Sequence, residues 1–223
     1  MTPEILTPHA DRTPEELEAA YPARDLPEGA AVTRFGPSPT GFVHIGGLYT
    51  ALISRRLARQ TGGVFFLRIE DTDKKREVAG AEDLIISSLH DWGLEADEGN
   101  FAHGEVRGSH GPYRQSERKA IYQSVVRRLL EQGHAYPCFA SAEELQALRE
   151  QQQALKIPPG YYGKWAIWRD KDPAEAEAAL AAGKPFVIRL RSPASGPDKV
   201  TLPDVVRGDL VLDTNRQDAV LLK

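Results

Sequence analysis

The stretch VFFLRI, Val64–Ile69, is an apolar run of strand length, set between Gly62–Gly63 and the acids of RIEDTD. A strand covered by helices on both faces of a parallel sheet has this texture. Upstream, AVTRF (31–35) reads as a shorter strand. It leads into a glycine- and proline-rich loop and a helix from about Gly46 through Leu48, Leu52 and Leu57 to Gln60. Downstream, a helix carrying Ile85, Leu89 and Trp92 on one stripe ends at Gly93. Strand, helix, strand, helix with short connections predicts an α/β, doubly wound parallel sheet.

The texture changes after a compositional break at Gly111–Ser116. Ser116 is a candidate cap for a helix whose apolar face is Ile121, Val125 and Leu129, with Gly133 past its end and Arg118, Lys119, Arg127 and Arg128 facing out. SAEELQALREQQQALK opens with a Ser141-x-x-Glu144 capping box, and DPAEAEAALAAGKP carries Asp172 as cap and Pro173 in the first turn. FVIRLRS then alternates, placing Phe186, Ile188 and Leu190 on one face and Val187, Arg189 and Arg191 on the other. A hairpin around Gly208 and a last strand in DAVLLK follow. The expected domains are 1–30, an acidic extension; 31–115, the first half of a sheet domain; and 116–223, an incomplete α+β insertion.

Composition excludes several classes. No apolar run approaches the roughly 18 residues of a membrane span, and the N-terminus lacks the basic start and apolar centre of a signal peptide, so a cytoplasmic protein is expected. The one cysteine, Cys138, forms no internal disulfide. Seven acidic and two basic groups give residues 1–30 a charge of −5, so the chain's −4 leaves the rest near +1. Near-neutrality leaves room for local basic patches that meet nucleic acid. The extension, with prolines at 3, 8, 14, 22 and 27, reads as a linker or loosely docked arm with a short helix near Pro14–Ala20.

The chemistry gathers at RFGPSPTGFVHIGG, Arg34–Gly47. In open α/β sheets ligands bind beyond the carboxyl ends of strands, against helix N-termini. Gly36, Gly41, Gly46 and Gly47 let backbone approach a ligand, while Pro37 and Pro39 stiffen the turn. His44 is placed to hydrogen-bond phosphate oxygens as charge develops on them. At the second strand end, Glu70, Asp71 and Asp73 lack a companion cluster with ligand spacing, so magnesium carried on nucleotide phosphates fits better than a protein-held cage. Arg34 suits a carboxylate and Glu70 an ammonium, together an acidic zwitterion. Helix capping and a solvated turn account for Asp71 and Asp73 about as well as a direct role does.

TRFGPSPTGFVHIGG, FFLRIEDTD, GAEDLI, GPYRQSER and the later FVIRL and AVLLK together resemble the class I aminoacyl-tRNA synthetases, and within them the bacterial-type glutamyl-tRNA synthetases, in their N-terminal part. The likeness implies the first half of a Rossmann-like domain with a tRNA acceptor-binding insertion. It implies ATP-dependent activation of L-glutamate to the adenylate and its transfer to the 3′ end of tRNA(Glu), by a monomer. Carried over by motif, Arg34, Gly36, Ser38 and Glu70 bind glutamate, and Pro37, His44, Gly46 and Gly47 bind ATP, the last three forming the catalytic signature. Gly47 stands where that signature ends in histidine. Asp73, Arg114, Arg118, Arg189 and Arg191 are the tRNA-facing candidates, the arginines through acceptor-stem phosphates.

Two departures matter. Some relatives hold zinc in the insertion with cysteines; here Cys138 and Ala140, then Trp165 and Ile167, occupy those places, and one thiol makes no tetrahedral site. No zinc is expected, and Trp165 and Trp168 are expected to fill a small core instead. A Lys-rich loop, further glutamate-binding positions and an anticodon-reading domain would fall beyond Lys223, so an N-terminal fragment inactive by itself is expected. The alternatives are a paralogue that glutamylates a modified tRNA base and a non-catalytic tRNA-binding module.

Overall fold

The computed structural model describes residues 2–193, 197–204 and 206–223. In chain order the elements are α1 (Pro3–Leu6), α2 (Pro14–Ala20), β1 (Val32–Phe35), α3 (Ile45–Gln60), β2 (Val64–Leu67) and α4 (Ala81–Asp91). Then come β3 (Gly99–Asn100), β4 (Val106–Arg107), α5 (Lys119–Glu131), β5 (Ala135–Cys138), α6 (Ala142–Ala154) and α7 (Pro173–Ala181). The last are β6 (Val187–Leu190), β7 (Lys199–Asp204), β8 (Gly208–Asp213) and β9 (Val220–Leu222). They form two compact units, Pro14–Ile121 and Met1–Thr13 with Tyr122–Lys223.

In the unit of residues 14–121, β1 and β2 run parallel from Val32↔Val64 to Phe35↔Leu67. After α4 the chain returns beside β2, where Asp97 N–H donates to Phe65 O (2.7 Å) and Leu67 N–H to Glu98 O (2.9 Å). Helical crossovers over a parallel sheet agree with the α/β expectation. Phe65, Leu67 and Ile69 are buried, as the unbroken apolar run requires, each contributing about 1.5–3 kcal/mol relative to exposure. Gly63 is obligatory at the strand entry, because a Cβ there would fall 2.0 Å from Ala31 O.

The helix stripes differ from their prediction. On α3 the buried residues are Leu48, Ala51 and Ala58, while Leu52 and Leu57 look outward; the alanines let the helix lie close to the strands. Ile85 and Leu89 of α4 enter the core as expected, but Trp92 caps the helix and is 64% exposed.

In the other unit, β5–β6–β9 form an antiparallel sheet, and β7 pairs antiparallel with β8 from Lys199↔Asp213 to Asp204↔Gly208, the predicted hairpin; Val205 in its turn lies outside the described residues. The Ser141–Glu144 capping box and the Asp172 cap are both formed. Gln123, Ser124 and Val126 are the buried residues of α5, with Leu129 and Leu130 packed beside them, whereas Val125 is exposed. Arg127 turns inward, donating to Thr7 O at 2.8 Å and Thr7 Oγ1 at 3.0 Å.

Residues 1–30 are divided between the two units and are not a separate arm. Leu6 is buried with Val126, Ala135 and Ile188 in one, and Leu17 is buried in the other. Trp165 is buried and Trp168 packs on both neighbouring clusters, around Tyr161 and around Phe139. The two tryptophans thus occupy a core, as their sequence places suggested.

Candidate active site

The carboxyl ends of β1 and β2 open into two loops that remain paired by backbone. Arg68 N–H donates to Phe35 O (3.0 Å), Glu70 N–H to Pro37 O (2.9 Å) and Val78 N–H to Pro39 O (2.9 Å). The Pro-Ser-Pro turn is therefore an extension of the sheet edge. A proline gives no N–H, but its carbonyl accepts, so the loop keeps register without competing donors.

This pairing brings Arg34, Gly36 and Glu70 together. Arg34 Nη1 lies 3.1 Å from Glu70 Oε1, and Arg68 Nη2 lies 3.2 Å from the same oxygen. Gly36 presses against the pair: a Cβ on it would stand 3.0 Å from Glu70 Oε1 and 3.2 Å from Arg34 Nε. The two arginines differ in freedom, with 42% of the Arg34 side chain exposed and 18% of Arg68. Arg68 was missed as a site residue, although its place two residues before Glu70 in an extended chain puts both on one side. Ser38 is exposed on the same turn.

His44 is the N-cap of α3. Its Nδ1 accepts from Gly46 N–H at 3.1 Å and from Gly47 N–H at 3.4 Å. This use of Nδ1 as acceptor fixes the neutral tautomer, leaving Nε2–H as a donor on an exposed ring. The first amides of the helix face the ring, not solvent, so the exposed imidazole covers the positive helix end.

The acids downstream have partners within the chain. Asp71 is buried and accepts from Ser116 N–H (2.9 Å) and Ser116 Oγ–H (2.5 Å). Burial pushes its pKa up, but the Ser116 bonds and Lys74 outweigh this and hold it below the usual carboxylate value. Ser116 therefore ties the loop after β2 and does not cap the following helix, which starts as a 3-10 turn over Ser116–Arg118. Asp73 sits in an exposed turn, bonded to Arg76 at 2.7 Å. Glu70, Asp71 and Asp73 thus have separate cationic or hydroxyl partners, and the described residues contain no His/Cys/Asp/Glu group able to hold a metal ion.

Among the tRNA-facing candidates, Arg114 pairs with Glu82 and Arg118 donates to Pro112 O at 2.8 Å. Arg189 is only 8% exposed, lies 4.0 Å over the Tyr161 ring and donates to Asp218 O. It is a buried tie, and the alternation that seemed to put it on an open face failed because β6 is covered on both sides. Arg191 bonds Asp170 and the Arg169 carbonyl. A cavity of about 1000 Å³ between α4 and the β3–β4 ribbon touches none of Arg34, Gly36, Ser38, His44 or Glu70.

The parallel sheet, with a histidine-capped helix and an Arg–Glu pair at its strand ends, is an α/β unit of the class I synthetase type. Residues 30–223 match the family model for tRNA synthetases class I (E and Q), catalytic domain, and the chain belongs to that family. It is 48% identical over 219 residues to the glutamate–tRNA ligase of Clostridium perfringens (strain 13 / Type A), a match covering 98% of this chain and 40% of the relative. It is also 48% identical to that of Sorangium cellulosum, with 95% of this chain and 39% of the relative covered. The crystal structure of a glutamate tRNA ligase from Elizabethkingia meningosepticum in complex with its amino acid superposes with a TM-score of 0.75 at 36% identity, over 87% of this chain and 38% of that one. The chain thus spans about 40% of the length of its curated relatives and is similar to their N-terminal part.

Proposed function

We propose that the protein is a glutamate–tRNA ligase acting in the cytoplasm on L-glutamate, ATP and tRNA(Glu), and that this chain supplies the first half of its active site. The observation that carries the reading is the convergence of Arg34, Gly36 and Glu70 at the strand ends, on the loop that leads into the His44-capped helix. Both ion pairs meet at Glu70 Oε1, so Oε2 is the oxygen offered to the ligand's ammonium. Arg68, the less exposed partner, keeps Glu70 oriented while Arg34 turns to a ligand carboxylate. An acidic zwitterion thus replaces one internal pair with two charge-assisted contacts.

In this reading the α-carboxylate oxygen of glutamate attacks the α-phosphorus of ATP. The bond from that phosphorus to the bridging oxygen breaks, and pyrophosphate leaves. His44 Nε2–H donates to phosphate oxygens as their charge grows. Glu70, Asp71 and Asp73 each have a partner within the chain, so magnesium would be held by the nucleotide phosphates, where it would neutralise their charge. The terminal adenosine hydroxyl of tRNA then attacks the adenylate carbonyl and releases AMP. Arg114, Arg118 and Arg191 remain candidates for acceptor-stem contacts; Asp73 faces solvent in its turn.

The test is Glu70→Gln in the full-length enzyme, followed by ATP–pyrophosphate exchange. The reading expects the KM for glutamate to rise about 10- to 100-fold, because the ammonium loses a charged acceptor, with the KM for ATP unchanged. An unaltered glutamate KM rejects it. The 223-residue chain by itself is expected to give no exchange.

A further inference from the structure

Residues 14–29 precede the stretch that the family model matches, and the proposed chemistry makes no use of them. One of them is nevertheless fastened unusually well. Arg24 donates bidentately to Glu98, Nε to Oε1 at 3.0 Å and Nη2 to Oε2 at 2.7 Å, with side chains only 18% and 13% exposed. Its guanidinium also lies 5.8 Å from the Phe66 ring centre, over β2. Glu98 Oε2 in turn accepts from the Tyr113 hydroxyl at 2.8 Å. Tyr113 is 2% exposed, and its oxygen accepts from His110 N–H at 3.1 Å. His110 Nε2 meets Pro22 O at 2.9 Å, which closes the ring back on the leader.

This ring ends on the strand that carries Glu70. Glu98 O accepts from Leu67 N–H (2.9 Å), Tyr113 O accepts from Ile69 N–H (2.9 Å), and Gln115 N–H donates to Ile69 O (2.9 Å). Leu67 and Ile69 are therefore held on one edge by the two residues that Arg24 and Pro22 secure. The next residue is Glu70, whose own N–H is tied on the opposite edge to Pro37 O. A polar atom displaced by a fraction of an ångström at this point changes the gap between Glu70 and Arg34, and binding sites are sensitive to such errors.

We propose that Arg24 is a positioning residue for the amino-acid site: through Glu98 and Tyr113 it fixes the backbone at Leu67–Ile69 and thereby the seat of the Glu70 carboxylate. The leader is on this account a working part of the glutamate pocket. Glu98 is held below the usual carboxylate range by Arg24 against the effect of burial, so its charge stays available to both partners. The inference rests on the reading of Glu70 given above.

The test compares Arg24→Met, Arg24→Lys, Tyr113→Phe and Glu70→Gln in the full-length enzyme. It reads KM and kcat for glutamate and ATP by pyrophosphate exchange, and amide hydrogen exchange at Ile69 and Gln115. R24M is expected to raise the glutamate KM about tenfold, equivalent to about 1.4 kcal/mol, with kcat and the ATP KM within about twofold. Exchange at Ile69 and Gln115 speeds up, and R24K recovers part of the loss. An R24M enzyme that melts earlier but keeps the wild-type glutamate KM overturns the proposal, since Arg24 is then merely structural. If R24M does not fold, R24K and Y113F decide: wild-type glutamate KM in both overturns it, and a raised value supports it. Should E70Q raise the glutamate KM while the Arg24 variants do not, this inference alone fails. Should E70Q leave it unchanged, the underlying reading fails as well.

Discussion

Replacing Asp218 by asparagine removes one charge and almost no volume from the unit that contains residues 122–223. The Asp218 side chain is fully buried, and three donors converge on it: Arg169 Nη1 at 2.8 Å and Ser192 N–H at 2.9 Å on Oδ1, and the Tyr136 hydroxyl at 2.6 Å on Oδ2. Burial and the neighbouring carboxylate push the Tyr136 hydroxyl pKa far up, so the tyrosine is a donor at any working pH. In the asparagine variant the amide oxygen still serves Arg169 and Ser192, and the tyrosine hydroxyl rotates to accept from the amide. What is lost is the countercharge of Arg169, whose side chain is 10% exposed. Breaking a buried ion pair from one side costs about 3–5 kcal/mol, and the retained neutral hydrogen bonds return about 1 kcal/mol. The expected net loss is about 2–4 kcal/mol, a large share of a typical 5–15 kcal/mol stability.

The assay is urea unfolding followed by tryptophan fluorescence. Trp165 and Trp168 report on this unit, and Trp92→Phe silences the third tryptophan of the chain. With an m-value of about 1.5–2 kcal/mol/M, D218N lowers the midpoint by about 1–2.7 M. The pair Asp218→Leu with Arg169→Met is expected to cost less than either single change, because no charge is left stranded. A D218N midpoint within about 0.3 M of the parent at unchanged m refutes the reasoning.

Two further outcomes follow from the site. His44→Asn keeps a good N-cap for α3 and should hold unfolding stability within about 0.5 kcal/mol, yet it lacks the outward Nε2–H, so kcat of the full-length enzyme falls about 10²- to 10³-fold; a wild-type kcat contradicts the assignment. The Asp71 carboxyl has a folded pKa below its ordinary value, so its contribution is complete above about pH 4 and is lost as pH falls through the lower, folded value. Melting temperatures of the parent and Asp71→Asn between pH 2.5 and 7 should therefore differ most near neutrality and converge in acid; a gap constant with pH excludes the linkage.

Much of the site was legible because its signals are local. The strand run at Val64–Ile69, the glycine and proline loop before α3, the Ser141–Glu144 capping box and the Asp172 cap each depend on neighbours a few residues away, and all formed where the sequence put them. Arg34 and Glu70 were assigned by charge to the two ends of one ligand, and in the structure they pair with each other at 3.1 Å. Arg68 was missed, the burial of Arg189 was not foreseen and Ser116 was misassigned as a cap, all for one reason. Whether an arginine binds a ligand, spans a core or pairs with an acid depends on what lies across the sheet, and for Ser116 the partner is Asp71, 45 residues away.

By itself the sequence determined the α/β order, the loop chemistry and the family likeness, since periodicity, caps and turn residues act over single turns of chain. Only the tertiary structure decided that His44 spends Nδ1 on its own helix and leaves Nε2 on the exposed side of the ring. It also decided that two arginines share Glu70, and that the acidic leader closes on Glu98 and Tyr113 instead of trailing in solvent. Hydrogen bonds and buried ion pairs between distant residues have no sequence period. Their partners are chosen by which backbones packing brings within about 3 Å.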